Sequence, residues 1–170
     1  MAKKASPAKK KPAKPVAKKA AVKKAVAAKK GKSETGIKYS DKSAGQPELV
    51  PIFEQLKKLL LPYEKGSIKK RGGEGGQIIM VSERPFEFQG RKRPELWFAA
   101  ALVQKGYVGF YFMPVYAKPE MKELFEPELL KCLKGKSCFH IKKNDPDLFR
   151  QIKDALAKGY VLYKKRGWID

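Results

Sequence analysis

The chain has 170 residues, 39 Lys and Arg against 17 Asp and Glu, and a formal charge of +22, a length that suits one ordinary domain plus an extension. Apolar runs are too short for a bilayer span, and two Cys with one His fall short of the four ligands of a structural zinc centre. Residues 1–47 hold 15 Lys against Glu34 and Asp41, a net charge of +13, whereas all 9 Phe and both Trp follow position 48; only the C-terminal part can therefore bury a core.

Residues 1–32 contain 13 Lys, 10 Ala and 3 Pro, a low-complexity composition that cannot form a core and is expected to be disordered in isolation. Lys3, Lys4, Lys9, Lys10, Lys11, Lys14, Lys18, Lys19, Lys23, Lys24, Lys29 and Lys30 fall mostly in pairs and triplets between small residues. Ammonium groups spaced in this way meet phosphates without reading bases, and each contact releases condensed counterions. Sequence-independent binding to nucleic acid, DNA above all, is the expected role, with anionic membrane surface or acidic protein as competing partners. Val16–Lys30 lacks Pro and Gly, so neutralisation of its lysines would favour helix formation. The composition resembles the C-terminal tails of linker histones and the Lys/Ala/Pro extensions of some bacterial nucleoid proteins, including a Ser6-Pro7-Ala8-Lys9 element. Residues 31–46 exchange lysine for Gly, Ser, Thr and Asp and read as a flexible linker, so the expected folded domain is 47–170.

In that domain Leu49, Ile52, Phe53, Leu56, Leu59 and Leu60 recur at helical spacing before Pro62, which predicts a first amphipathic helix. Lys69 to Gly76 is too glycine-rich for an element and reads as a mobile connection; it lacks the ending and the following helix of a phosphate-binding loop. Strands are predicted over 77–81, 86–88, 96–103 and 107–112, with a basic turn at 89–94. One or two short helices follow within 121–133, then a strand at 137–141. The closing helix starts from Asp145 and Pro146 and carries Leu148, Phe149, Ile152, Ala155, Leu156, Tyr160 and Tyr163 on one face up to Gly167. The predicted fold is α+β: a two-layer sandwich in which an antiparallel meander of about five strands packs under the N- and C-terminal helices.

The run RGGEGG (71–76), the segment 90–117, LKGKSCFHIKK (133–143) and AKGYVLYKKRGW (157–168) resemble the YdhG-like family, a domain of unknown function. The resemblance implies a frataxin-like fold and, for some relatives, an iron-chaperone role. Frataxins bind iron through a carboxylate-rich first helix, whereas here Glu48 and Glu54, with Glu64 beyond Pro62, are interleaved with Lys57 and Lys58, so no metal or other cofactor is expected.

Arg91, Lys92 and Arg93 are candidate nucleic-acid contacts, and Lys134, Lys136, Lys142 and Lys143 would extend them if the 90–93 turn and the 142–143 strand end share a side of the sheet. Trp97, Phe98, Tyr107, Phe110, Tyr111 and Phe112 offer stacking surfaces wherever strand alternation turns them outward, and the same outward aromatics would serve the alternative of a small-molecule or protein-binding module. Cys138 and His140, two apart on a strand, should share a face, yet no orienting third group accompanies them. With no carboxylate pair, serine elbow or metal motif, a non-enzymatic accessory protein is expected. No secretory leader is read, so reduced cysteines and a cytoplasmic, nucleoid- or chromatin-associated location are the corresponding expectations.

Overall fold

The computed structural model describes residues 41–88 and 90–170. Helix α1 (Val50–Leu60) carries Pro51 in its first turn and buries Ile52, Phe53, Leu56 and Leu60. These are the predicted apolar positions, and Leu59 packs at the edge of the same core. A 3-10 turn over Leu61–Tyr63 places Pro62 where an α-helix would have to stop.

Six antiparallel strands form the sheet: β1 (Ile68–Gly72), β2 (Gln77–Ser82), β5 (Leu96–Gln104), β6 (Tyr107–Phe112), β7 (Leu133–Lys134) and β8 (Cys138–Ile141), in the order β1-β2-β5-β6-β8-β7. Two further strands, β3 (Phe86–Phe88) and β4 (Arg91–Arg93), pair only with each other, as a hairpin inserted between β2 and β5. The sheet turns Ile78, Met80, Ala99, Ala101, Val103, Val108, Phe110, Phe112, Phe139 and Ile141 into the core shared with α1 and with α4 (Pro146–Lys165). The protein is thus an α+β fold with an antiparallel sheet under its first and last helices, as predicted.

Several local readings need correction. The Lys69–Gly72 segment is not a loop but an edge strand, held in register from Ile68 opposite Ser82 to Gly72 opposite Ile78. Its ladder partner, rather than its own weak strand propensity, makes it extended. The glycines after it form a tight turn closed by Gly73 N–H donating to Gln77 O at 2.8 Å, so the backbone closes on itself rather than on a phosphate. Arg91–Arg93, expected in a turn, is strand β4, and Phe86–Phe88 leaves the main sheet with it. Met113–Ala117, unassigned in the sequence, is a short helix α2, which precedes a 3-10 turn (Pro119–Leu124) and α3 (Pro127–Cys132).

Residues 41–46, the end of the expected linker, are stitched to the sheet. Lys42 N–H donates to Gly75 O at 3.0 Å, and Gly106 N–H donates to Gln46 Oε1 at 2.7 Å. Gly76, at φ +70°, is closed in on both sides: an added Cβ would lie 2.9 Å from Val103 Cγ2 and 3.0 Å from Ser43 N.

Two features at one end of the sheet set up the site. Met80 opposes Ala99 and Val81 opposes Trp97, which leaves Phe98 as the extra residue of a β-bulge. Simple alternation from inward-facing Ala99 would turn Phe98 outward and Trp97 inward. The bulge instead buries Phe98 completely and leaves Trp97 38% exposed. Helix α4 is capped at its start by the Asp145 side chain, which accepts from Asp147 N–H at 3.0 Å and Leu148 N–H at 3.4 Å. At its end Trp168 N–H donates to Tyr163 O, Gly167 N–H donates to Lys164 O, and Gly167 takes φ +66°, which is a Schellman closure. That closure folds Trp168 back against the helix end.

Candidate functional site: an arginine and aromatic cleft

In the β3–β4 hairpin Phe86 opposes Arg93, Glu87 opposes Lys92 and Phe88 opposes Arg91. Directly opposed residues share a face, so Phe86, Phe88, Arg91 and Arg93 project to one side, Glu87 and Lys92 to the other. The first face turns toward Trp168, whose ring meets Phe86 and Phe88 edge-on at 5.7 and 5.9 Å between centroids and Tyr163 at 5.2 Å. Edge-to-face contacts of this kind fix ring orientation as well as burying area.

Between the hairpin, the start of β5, α2 and the end of α4 lies a cavity of about 560 Å³, within the usual size range of ligand pockets. Trp97 and Tyr116 are the exposed aromatic members of its lining, while Tyr163 and Trp168 are buried ones. The Tyr163 hydroxyl donates to Trp97 O at 3.0 Å, and burial holds its acidity well below that of an ordinary phenol. Arg91 and Arg93 complete the lining and are exposed.

Charge at this cleft is one-sided. Among the described residues neither Arg91 nor Arg93 makes an ion pair. Glu95, the acidic residue of the lining, is bridged by Arg71 at 2.6 Å, and Arg71 also reaches Glu83 at 3.8 Å. Lys136 lies outside the cleft, in the neighbouring concavity that shares Tyr116, its Nζ 5.5 Å from that ring's centroid.

The basic residues singled out in the sequence do not form one patch. Cys138 pairs with Tyr111 and Ile141 with Val108, so β8 runs from the end of the sheet near Phe112 toward the Gly106 turn. Lys134 and Lys136 lie toward the first end; Lys142 and Lys143, following Ile141, lie at the other, away from the entry to β5 where Arg91–Arg93 sit. Lys92 points away from the cleft by the hairpin register. The twelve candidate lysines from Lys3 to Lys30 lie outside the described residues.

Of the six strand aromatics, Phe98, Phe110 and Phe112 are fully buried, and Tyr107 and Tyr111 occupy the sheet face away from the helices. Cys138 and His140 share that face but do not act on each other. Cys138 sits opposite Tyr111 in the β6–β8 register, and His140 stacks on Tyr107 at 3.8 Å. Burial pushes the Cys138 thiol up, while burial and then Lys142 and Lys134 push His140 down. Both groups are therefore neutral near pH 7, the opposite of a thiolate–imidazolium pair.

Trp168, Tyr163 and Tyr116 are the cleft residues that sequence reasoning missed as functional. Tyr163 is legible in the sequence only as a member of a helical apolar face, and Trp168 only as the last residue of the AKGYVLYKKRGW run. Among the described residues no three His, Cys, Asp or Glu side chains gather to hold a metal ion, and no helix is long and apolar enough to cross a membrane. No family model, curated protein or solved structure matches the chain.

Proposed function

We propose that this protein is a non-enzymatic accessory factor that binds nucleic acid without sequence preference, its lysine-rich N-terminal segment acting as the phosphate anchor for a YdhG-like domain. The observation that carries the reading is the net charge of +13 over residues 1–47, delivered by closely spaced lysines with almost no acidic residues between them. Polyphosphates reward such a segment through counterion release rather than through base contacts. Arg91 and Arg93, exposed and without ion pairs among the described residues, support the reading from the folded part. Association with the nucleoid or with chromatin follows from the same chemistry. The iron-chaperone alternative lacks comparable support, since Glu54 is engaged by Lys57 at 3.3 Å and Glu64 by Lys70 at 3.8 Å.

The test is fluorescence anisotropy with labelled duplex DNA across about 50 to 200 mM salt, comparing the full chain with a full-length variant in which the twelve lysines from Lys3 to Lys30 are glutamine. The wild-type affinity is expected to fall about a thousandfold or more over that range, and the variant to bind weakly with a shallow slope. Binding that ignores salt, or that survives the lysine replacement, would overturn the proposal.

A further inference from the structure

We infer that the cleft under the β3–β4 hairpin binds a nucleotide unit, its base stacked on Trp97 or Tyr116 and its phosphate held by Arg91 and Arg93. The inference rests on the proposed nucleic-acid binding for its polymeric form, and on the cleft alone for a free nucleotide.

Three independent features converge on this ligand chemistry. The first is shape: a cavity of about 560 Å³ accommodates one planar ring system with its sugar, and a duplex with both faces of every base stacked presents no such group. The second is the nature of the walls. A soluble fold ordinarily buries a tryptophan, yet Trp97 is turned 38% exposed by a bulge that sends Phe98 into the core in its place, and Tyr116 is 43% exposed. Exposed aromatic rings bordering one concavity are stacking platforms, tolerant of base identity because each base has a π-face.

The third feature is the charge. Arg91 and Arg93 stand two apart on one strand and so point the same way, each presenting a planar fork of donors suited to phosphate oxygens. Neither has an ion-pair partner among the described residues, and the carboxylate that could have neutralised them, Glu95, is drawn to Arg71 at 2.6 Å. Two arginines on one face of the hairpin, at the mouth of an aromatic cleft, leave a positive charge that an entering anion would offset. A ligand that is both planar and anionic satisfies both parts of the lining, and a base joined to a phosphate is such a ligand.

The cleft carries its own reporter. The chain has two tryptophans, and both line the cavity, so a base stacking there quenches intrinsic emission that the lysine-rich segment does not contain. The full chain is titrated with a single-stranded deoxyadenylate oligomer, a duplex of equal length, and adenosine monophosphate, with tryptophan emission and anisotropy read in parallel. R91Q and R93Q are compared with K105Q, which removes the same charge at the opposite end of β5, and unfolding midpoints confirm that the variants are folded.

The expected result is stronger quenching by the single strand than by the duplex, weakened about tenfold in R91Q or R93Q and unchanged in K105Q. If anisotropy reports oligomer binding without a change in emission, or if K105Q weakens quenching as much as R91Q, the cleft is not the site and only the broader nucleic-acid reading stands. If the oligomers fail to bind but adenosine monophosphate quenches in an Arg91-dependent way, that reading falls while the cleft remains a nucleotide site. Failure of all three probes overturns both.

Discussion

The Tyr163 hydroxyl ends a buried ring on α4 and donates to Trp97 O at 3.0 Å, so one hydrogen bond joins the closing helix to the bulged strand that displays Trp97. Tyr163→Phe removes the donor and leaves the carbonyl short of a partner, which is expected to cost about 1–3 kcal/mol in urea unfolding and to shift tryptophan emission in the folded protein. A second residue, Arg150, bonds both carboxylate oxygens of Glu126 at 2.9 Å and Asp147 Oδ1 at 2.9 Å. It holds both carboxyls below their ordinary values, Glu126 chiefly through that hydrogen bond and Asp147 through it and Gln151. Because the folded-state pKa values are depressed, this stabilisation is present above the ordinary values of 4.5 and 3.8 and is lost as pH falls through the folded ones. Thermal unfolding below pH 5 should therefore decline more steeply with acid in the wild type than in Arg150→Met, and equal slopes would contradict the assignment.

At the scale of elements, α4 passes so close to β6 and α2 that only glycine fits at position 159. A Cβ there would run into the Phe112 ring and lie 2.8 Å from Pro114 Cγ, and Phe112 is fully buried with nowhere to retreat. Alanine gains about 1 kcal/mol of helix propensity, but overpacking of a dense core costs about 1–3 kcal/mol. Gly159→Ala is therefore expected to lower the unfolding midpoint despite being the better helix former, and a rise would refute the close contact. The same helix was readable in advance because its signals are local: Asp145 and Pro146 at the start, apolar residues at helical spacing, Gly167 at the stop. Strand β1 was not, since Lys69, Lys70 and Arg71 acquire an extended conformation only from pairing with β2. The bulge was equally invisible: nothing in Leu96-Trp97-Phe98-Ala99 says which aromatic turns inward until the β2 register is set. Of the cleft, Arg91, Arg93 and Trp97 were visible as chemistry but not as neighbours. Their meeting with Tyr163 and Trp168 depends on a helix closure some seventy residues later in the chain, which no local pattern encodes.

For the whole molecule, charge and apolar content are divided along the sequence: lysine with few core-forming residues in the first part, and among the described residues a packed core with a cationic, aromatic cleft in the second. The proposed function assigns long-range, salt-screened attraction to the first, and the inferred cleft assigns short-range shape and stacking to the second, so ionic strength should separate them. The outer strands of the sheet then take on a meaning beyond the fold. Among the described residues one edge is β1, where Lys69 and Lys70 are exposed, and the other is β7, only two residues long. Under the proposed binding, many copies crowded along one polyanion would meet edge to edge at high local concentration, the condition under which open strands of neighbouring molecules fuse into a continuous sheet. A charged margin on one side and a margin too short to template anything on the other oppose that fusion, so crowding need not become aggregation.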